Sequence, residues 1–270
     1  MDPLLKIACI QSDCEPGNVT ANLDRALRLV EAAQAGGARM AVLPELCNVG
    51  YDLNRLKNSS YDSLARGFEQ SRDRLAAASR RLAMVIAAGL LETENGRYYN
   101  SLLVFDGEAV PARYRKLALF PLSGETEFFD PGDRLVTFRV DGFRLGIMIC
   151  FDIRFPEIAR KYLEEDCSGL IIASAFPSAR LDHWQTLVKS RAVENQLYVA
   201  AANRSGADNG LRFAGNSCVI DPWGTVKASA AETGDAVIVH EMDLRNVSDA
   251  RDRIPTREGR DYLRTVLNGS

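Results

Sequence analysis

The sequence predicts an α/β fold of four layers, with two β-sheets packed face to face and helices on both outer faces. Strand-like and helix-like segments alternate in the first part of the chain, and strands predominate later. Helices can therefore cover only one face of each sheet, and the uncovered faces must bury each other. No linker, low-complexity tract or block of charge interrupts the 270 residues, so we expect residues 1–270 to form a single αββα domain.

Apolar residues at strand and helix spacing define the elements of the first half. Residues 5–10 form a short apolar strand, and a first helix after Pro16-Gly17-Asn18 carries apolar residues at 23, 27 and 30 before Gly36-Gly37 ends it. Residues 40–43 form a second strand that ends at Pro44-Glu45. A second helix follows with apolar residues at 64, 68, 75 and 82, and then come strands at residues 85–91, 101–105 and 136–140.

The second half contains the most apolar strand of the chain. Residues 144–150 read RLGIMIC, which is typical of a strand that is buried on both faces. A helix is predicted over residues 156–165 and another over residues 184–195. The remaining strands are predicted at residues 170–173, 198–202, 218–220 and 236–239.

The charge balance and the length of the apolar runs exclude two classes of partner. The chain has 33 Lys and Arg against 36 Asp and Glu, a net charge of −3, so no basic excess exists to neutralise a nucleic-acid backbone. Its longest apolar stretches, such as residues 83–91, fall well short of the ~20 residues that a membrane span needs. We expect no nucleic-acid and no membrane partner, and a cytoplasmic protein because the N-terminus carries no readable signal peptide.

The histidine and cysteine residues limit the chemistry further. The two histidines, His183 and His240, are far apart and do not have metal-ligand spacing, which excludes a multi-histidine metal site. The six cysteines form no CxxC pair and are expected to be reduced in a chain without a secretory signal. We therefore expect no metal and no organic cofactor, with one cysteine available as a nucleophile.

Three residues with useful chemistry stand where apolar segments end or begin, which is where ligands usually bind in α/β folds. Glu45 follows AVLP, Lys116 precedes LALF, and Cys150 ends RLGIMIC just before a helix. Each alone is typical of a cap, a surface lysine or a core thiol. Together they suit nucleophilic catalysis, because a helix start and an ammonium stabilise a thiolate and a carboxylate can take its proton.

Five segments of the chain resemble the nitrilase superfamily of carbon–nitrogen hydrolases. The matching stretches are LPELCNVGY (43–51), YRKLALF (114–120) and GIMICFDIRFPE (146–157), supported by residues 183–204 and by DPWGTV (221–226). They occur in the order of the family and span nearly the whole chain. The resemblance implies a four-layer sandwich of the carbon–nitrogen hydrolase type, with Glu45 as general base, Lys116 as electrostatic stabiliser and Cys150 as nucleophile.

The resemblance also implies a second active-site glutamate shortly before a Phe-x-Pro-Gly turn. Glu125 fits that place in GETEFFDPG, and Glu127 is the competing, less favoured candidate. The chain departs from the family two places after the triad lysine, where many relatives have histidine and this sequence has Ala118. A methyl group neither donates nor accepts a hydrogen bond, so any polar role of that histidine is absent or relocated.

The residues after the nucleophile favour amides over nitriles. Family members that act on nitriles typically have Trp-Glu there, whereas Phe151-Asp152 is close to the Tyr-Asp of the amidase-like branches, which include ω-amidases. The resemblance thus implies hydrolysis of a small carboxamide to an acid and ammonia through a thioester. An N-carbamoyl hydrolase or a nitrilase stays open, as do a catalytically silent scaffold subunit and a redox protein that pairs Cys150 with Cys167 or Cys14.

Loops around the triad supply the candidate substrate contacts. The substrate-binding residues that we expect are Tyr51, Phe151, Phe176, Arg180 and Arg204, with the Phe151 N–H in the oxyanion hole. If the substrate carries a carboxylate, Arg180 and Arg204 are expected to bind it, because a guanidinium matches a carboxylate through two parallel hydrogen bonds. Arg154 is interpreted instead as a structural ion-pair partner at a helix start.

Relatives of this kind commonly self-associate through helices near the nucleophile. Here the corresponding segments are residues 156–165 and 184–195, helped by the C-terminal segment. We therefore expect a homodimer or a higher homo-oligomer that acts on a small-molecule amide.

Overall fold

The computed structural model describes residues 3–267, and every strand and helix predicted above is present in it. The strands are β1 (Leu4–Gln11), β2 (Met40–Val42), β3 (Val85–Glu94), β4 (Arg97–Asp106), β5 (Ala109–Arg115), β6 (Thr137–Val140), β7 (Phe143–Ile149), β8 (Gly169–Ser174), β9 (Tyr198–Asn203), β10 (Ala207–Asp208), β11 (Leu211–Arg212), β12 (Cys218–Ile220), β13 (Val226–Ser229) and β14 (Ala236–Asp243). The helices are α1 (Val19–Ala35), α2 (Leu53–Lys57), α3 (Tyr61–Leu82), α4 (Glu125–Phe128), α5 (Pro156–Glu164), α6 (Leu181–Asn195), α7 (Leu244–Arg253) and α8 (Thr256–Leu267). None of the helices within residues 3–267 has both the length and the apolar composition to cross a membrane.

Two six-stranded sheets form the centre of the molecule, with strand orders β14-β1-β2-β3-β4-β5 and β13-β12-β9-β8-β7-β6. In each sheet the three central strands are parallel, β1-β2-β3 in the first and β7-β8-β9 in the second. The strands that flank them are antiparallel. The carboxyl ends of β2 and β7 lead directly to Pro44-Glu45 and to Cys150, so these residues follow parallel strands as expected of a ligand site.

The inner faces of the two sheets pack against each other, and helices cover the outer faces. Alternate residues of a strand point to opposite faces. Met40 and Val42 of β2 belong to the core between the sheets, whereas Ala41 belongs to the apolar cluster formed with α1 and α3. On the second sheet, Tyr162 of α5 and Trp184 of α6 are buried against the strands. The predicted αββα architecture is confirmed.

Strand β5, which the sequence analysis did not anticipate, delivers Lys116 to the site. Pro111 removes a backbone donor, which argues against a strand in the centre of a sheet. β5 lies at the edge of the first sheet, where an unpaired position is tolerated, and Lys116 follows its last residue. The other unanticipated elements are the short segments α2, α4, β10, β11 and β13 and the C-terminal helices α7 and α8.

Candidate active site

Glu45 is fixed at the carboxyl end of β2 by a close approach of two backbone segments. A Cβ on Gly89 of β3 would lie 2.5 Å from the Pro44 oxygen and 2.6 Å from the Glu45 Cα. A residue with a side chain could not occupy position 89 without moving the chain that carries Glu45. The Glu45 side chain is fully buried.

Cys150 lies at the first residue of a 3₁₀ turn, Cys150–Arg154, that begins directly after β7. Its φ is +43°, in the left-handed region. A non-glycine residue held there stores about 1–3 kcal/mol of strain, which the surrounding structure must offset. This turn ends the strand abruptly and leaves the Cys150 side chain in the wall of a cavity.

Lys116 lies between two carboxylates. Its Nζ is 2.8 Å from Glu45 Oε1 and 2.8 Å from Glu125 Oε1, and all three side chains are fully buried. Burial alone would lower the pKa of Lys116, but Glu125 and Glu45 raise this pKa well above its usual value. Lys116 is therefore a fixed positive charge, shared by the two glutamates.

The oxygens of Glu45 face hydrogen-bond donors only. Oε1 accepts from Asn100 Nδ2 at 2.7 Å as well as from Lys116, and Oε2 accepts from the Ala175 N–H at 2.8 Å. Asn100 lies on β4 and Ala175 follows β8, so both sheets orient this carboxylate. Asn100 was not among the residues expected at the site, and nothing in its local sequence indicates this contact.

Glu125 is the second glutamate of the site, and Glu127 is not part of it. Glu125 Oε1 accepts from the Tyr51 hydroxyl at 2.5 Å in addition to Lys116, and its Oε2 accepts from the Phe120 N–H at 2.7 Å. Glu127 points to solvent and pairs with Lys57 at 2.6 Å. Of the two candidates, only Glu125 contacts Lys116.

The Cys150 thiol is protonated in this surrounding. Burial raises the pKa of the thiol, and the Glu45 carboxylate raises it further, whereas Lys116 and the Ser174 hydroxyl lower it. Together these effects raise the pKa of the Cys150 thiol well above its usual value. A nucleophilic attack by Cys150 therefore requires a base that removes the thiol proton during the reaction, and Glu45 is the charged neighbour with the strongest influence on it.

A cavity of about 240 Å³ opens onto Cys150. Its wall contains four of the five expected substrate contacts, namely Tyr51, Phe151, Phe176 and Arg180, together with Arg154, Phe120, Leu122, Ser123, Ala175, Pro177 and Leu211. The lining is thus apolar and aromatic with two guanidinium groups. Cavities with an apolar wall and a few convergent polar groups typically bind small molecules.

The motif order, the fold and this buried Glu-Lys-Cys arrangement agree with a family match. Residues 6–252 match the family described as carbon-nitrogen hydrolase. The chain belongs to the carbon–nitrogen hydrolase family. This carbon–nitrogen hydrolase also has named relatives that extend over nearly its entire length.

Two curated relatives are amidases. The 2-oxoglutaramate amidase of Bacillus subtilis (strain 168) is 35% identical over 252 residues, which are 92% of this chain and 95% of the relative. The omega-amidase NIT2 of Homo sapiens is 33% identical over 275 residues, 97% of this chain and 95% of the relative. In the crystal structure of Saccharomyces cerevisiae Nit3, a member of branch 10 of the nitrilase superfamily, the match has a TM-score of 0.81 and 27% identity over 94% of this chain and 95% of that chain. The expected nitrilase-superfamily fold and carbon–nitrogen hydrolase activity are confirmed.

Arg204 does not lie where the sequence analysis expected it. The side chain is fully buried outside the cavity wall, and its Nη1 pairs with Asp208 at 2.5 Å. Its Nη2 donates to Asp13 at 3.1 Å and to the Cys14 carbonyl at 2.7 Å. The expectation that Arg204 binds a substrate carboxylate is therefore corrected: both Nη atoms of its buried guanidinium already donate to internal acceptors.

Arg154, unlike Arg204, lies in the wall of the Cys150 cavity. The expected structural ion pair is absent, because none of the carboxylates whose side chains the structure describes pairs with it, and its Nη2 lies 3.4 Å from His183 Nδ1. Burial and the neighbouring Arg180 lower the pKa of Arg154. Two guanidinium groups thus lie close together in the cavity wall of this hydrolase.

Asp152 connects the nucleophile turn to the segment that follows Lys116. Its Oδ1 accepts from the Ala118 N–H at 2.8 Å, and its Oδ2 accepts from the Ile149 N–H at 2.9 Å and from the Tyr114 hydroxyl at 2.8 Å. Burial raises the pKa of Asp152 to about 6. At position 118 the backbone thus supplies a polar contact that the alanine side chain cannot make.

The other cysteines are buried and do not contact the triad. Burial raises the pKa of Cys47 well above its usual value, of Cys14 to about 11 and of Cys167 to about 12. Thiols of this kind are protonated at neutral pH and react slowly. Among residues 3–267, no three His, Cys, Asp or Glu side chains are arranged to hold a metal ion.

Proposed function

We propose that this carbon–nitrogen hydrolase converts a short monoamide of a dicarboxylic acid to the diacid and ammonia, through a thioester on Cys150. The observation that carries the proposal is the pair of guanidinium groups in the cavity wall, Arg154 and Arg180, which no described carboxylate neutralises. The names of the two relatives, 2-oxoglutaramate amidase and omega-amidase, support the same substrate class.

Thioester formation begins with transfer of the thiol proton. Glu45 accepts the proton of Cys150 as the sulfur attacks the amide carbon, and a tetrahedral oxyanion forms. Lys116 and the Phe151 N–H stabilise that oxyanion in a site from which water is largely excluded. Glu45 then gives the proton to the departing nitrogen, the C–N bond breaks, and ammonia leaves.

Thioester hydrolysis repeats the same steps with water. Glu45 takes a proton from the water, the resulting hydroxide attacks the thioester carbon, and the proton returns to sulfur as the C–S bond breaks. One water is consumed, and the products are the acid and the free thiol. Glu125 does not exchange this proton; through its contact with Lys116 it holds the ammonium next to Glu45.

The far end of the substrate meets the two arginines. Arg180 lies over the Phe120 ring at 5.6 Å, and Arg154 lies over the Phe176 ring at 5.3 Å, so aromatic faces keep both guanidinium groups in the wall. A carboxylate between them gains charge-assisted hydrogen bonds that a neutral amide lacks. The aromatic side chains between Cys150 and these groups accommodate a short apolar spacer.

Removal of one arginine tests the substrate class. Arg180→Ala and Arg154→Ala are each expected to raise KM for an acidic amide by about 10- to 100-fold, the equivalent of one lost charge-assisted hydrogen bond. KM for a neutral amide of equal length should stay within about threefold, because its binding does not use the charge. Steady-state ammonia release on both substrates measures this.

A matched control is Arg72→Ala, which removes an exposed arginine of α3 that is not part of the cavity wall. Equal KM changes for the acidic and the neutral amide would contradict carboxylate recognition. Faster release of ammonia from the matched nitrile or N-carbamoyl acid than from the amide would favour those alternatives. A wild-type protein that turns over none of them would favour the silent scaffold.

We also propose that the enzyme is a homodimer or a higher homo-oligomer that buries the outer face of α6. Val193 on that helix is 47% exposed, and Trp223 in the turn after β12 is 40% exposed. Gly224 of the same turn lies against Val193, since a Cβ added there would be 2.4 Å from the Val193 side chain, and this brings the turn that carries Trp223 next to α6. Such a patch is typical of an interface when it extends to neighbouring elements.

Sedimentation equilibrium at micromolar concentration tests self-association. The expected mass is at least twice the 29.7 kDa of the chain. Val193→Asp should shift the protein toward the monomer, because a carboxylate in the buried part of an interface is not paired. Val110→Asp, which places the same charge at an exposed valine of edge strand β5, is the control. A 29.7 kDa species from the wild type would refute the proposal.

A further inference from the structure

A single carboxylate oxygen joins a buried ion pair to the backbone of a cavity residue. Asp208 Oδ2 accepts from Arg204 Nη1 at 2.5 Å and from the Tyr51 N–H at 2.9 Å. The side chain of Asp208 is 1% exposed and that of Arg204 is fully buried. Arg204 and the Tyr51 N–H both donate to Oδ2 and hold that oxygen in one position, whereas Asp208 Oδ1 is buried without a hydrogen-bond partner among the described residues.

Gly50 makes this contact sterically feasible. Its φ is +77°, and a Cβ added there would lie 3.0 Å from Asp208 Oδ2 and 3.6 Å from Arg204 Nη1. A side chain at position 50 would therefore strain the backbone and push the carboxylate away from the Tyr51 N–H. The glycine allows Asp208 to reach the backbone of the residue that follows it.

The side chain of Tyr51 reaches the triad. Its hydroxyl donates to Glu125 Oε1 at 2.5 Å, the same oxygen that lies 2.8 Å from Lys116 Nζ. Burial and the Glu125 carboxylate raise the pKa of Tyr51 well above its usual value, so the hydroxyl stays a donor. The Tyr51 and Phe213 rings pack edge to face with their centroids 6.2 Å apart, and the Arg204 guanidinium lies over the Phe213 ring, 4.4 Å from its centroid.

We infer that Asp208 is a positioning residue: held by Arg204, it fixes the Tyr51 backbone so that the Tyr51 hydroxyl keeps Glu125, and through it Lys116, in place. Asp208 itself does not line the Cys150 cavity. The inference rests on the proposed amide hydrolysis. It also gives the buried Arg204 a role, because its guanidinium holds the Asp208 carboxylate that accepts from the Tyr51 N–H.

Combinations of variants separate this role from a purely structural one. Gly50→Ala and Asp208→Asn are each made alone and together with Tyr51→Phe, which removes the bond to Glu125. Each single change is expected to lower kcat by about tenfold, the equivalent of one lost hydrogen bond. In the Tyr51→Phe background neither change should lower kcat further, because the link through which Asp208 acts is already broken.

Stability and a steric control complete the comparison. Each change should lower the melting temperature by the same amount in the wild-type and the Tyr51→Phe background. The reason is that the Tyr51 hydroxyl affects neither the Arg204–Asp208 ion pair nor the backbone strain at position 50. Gly96 has a similar positive φ, +79°, but a Cβ there would meet nothing within 4 Å, so Gly96→Ala should leave kcat unchanged. If kcat losses add in the double variants, Asp208 does not act through Tyr51. Should Asp208→Asn not fold, Gly50→Ala carries the test.

Alkylation of Cys150 gives a readout that needs no substrate. Lys116 lowers the pKa of this thiol, so a displaced lysine should slow its reaction with iodoacetamide. The rate is followed by mass spectrometry of the Cys150 peptide, and the same non-additive pattern is expected. If no amide is hydrolysed, the proposed function fails, and the alkylation rates still decide the role of Asp208. Single variants that alkylate at the wild-type rate would overturn it.

Discussion

Cys150→Ala is expected to abolish amide hydrolysis and to leave the fold intact. Alanine offers no nucleophile, so no thioester forms, and kcat should fall by at least about 10⁴-fold, as for other residues of a nucleophile–base unit. The backbone strain at φ +43° is the same for alanine as for cysteine, and a single buried sulfur is lost. Ammonia release gives kcat, and thermal unfolding should show a melting temperature close to that of the wild type.

Cys47→Ala is the matched control for this substitution. Cys47 is also buried and lies two residues after Glu45, but it is absent from the wall of the Cys150 cavity. This variant should retain turnover and should still form an acyl adduct detectable by mass spectrometry when the reaction is quenched. Ammonia release by Cys150→Ala, with Cys47→Ala inactive, would show that the nucleophile has been assigned wrongly.

Glu45→Gln is expected to lower kcat by about 10²–10⁴-fold, the usual effect of removing a general acid–base group. Both halves of the reaction lose their proton carrier, because the raised pKa of the Cys150 thiol leaves it protonated and the attacking water also needs a base. The glutamine amide must in addition face Lys116, Asn100 or the Ala175 N–H, all of which are donors. Single-turnover measurements should show both acylation and thioester hydrolysis slowed.

The control for this second prediction is Glu127→Gln, an exposed glutamate next to the site that pairs with Lys57. Its kcat should stay within about twofold of the wild type, in line with the small contribution of surface ion pairs. A Glu45→Gln enzyme that works within threefold of the wild-type rate would remove Glu45 from the proposed mechanism.

Much of the fold could be predicted because its strands and helices are encoded locally. The run RLGIMIC is apolar over its whole length, and burial on both faces is what the structure gives β7. Strand β5 was missed for an equally local reason, since Pro111 is tolerated only because the strand lies at an edge. Whether a strand is central or at an edge depends on its neighbours in space.

The sequence by itself determined that the chain has an αββα fold and that Glu45, Lys116 and Cys150 belong together, because short motifs and strand ends carry that information. It also favoured Glu125, but the contact with Lys116 that separates Glu125 from Glu127 exists only in the folded chain. The local sequence pattern treats Glu125 and Glu127 alike, and only the contact with Lys116 distinguishes them.

Only the tertiary structure decided which arginines line the cavity beside Cys150. In the sequence, Arg180 and Arg204 both follow strand ends, and Arg154 looks like an ion-pair partner. In the fold, Arg204 is neutralised by Asp13, 191 residues away, and by Asp208, while Arg154 has no such partner among the described side chains. The physical reason is that an arginine takes its role from the charges that surround it, and long-range packing brings those charges together.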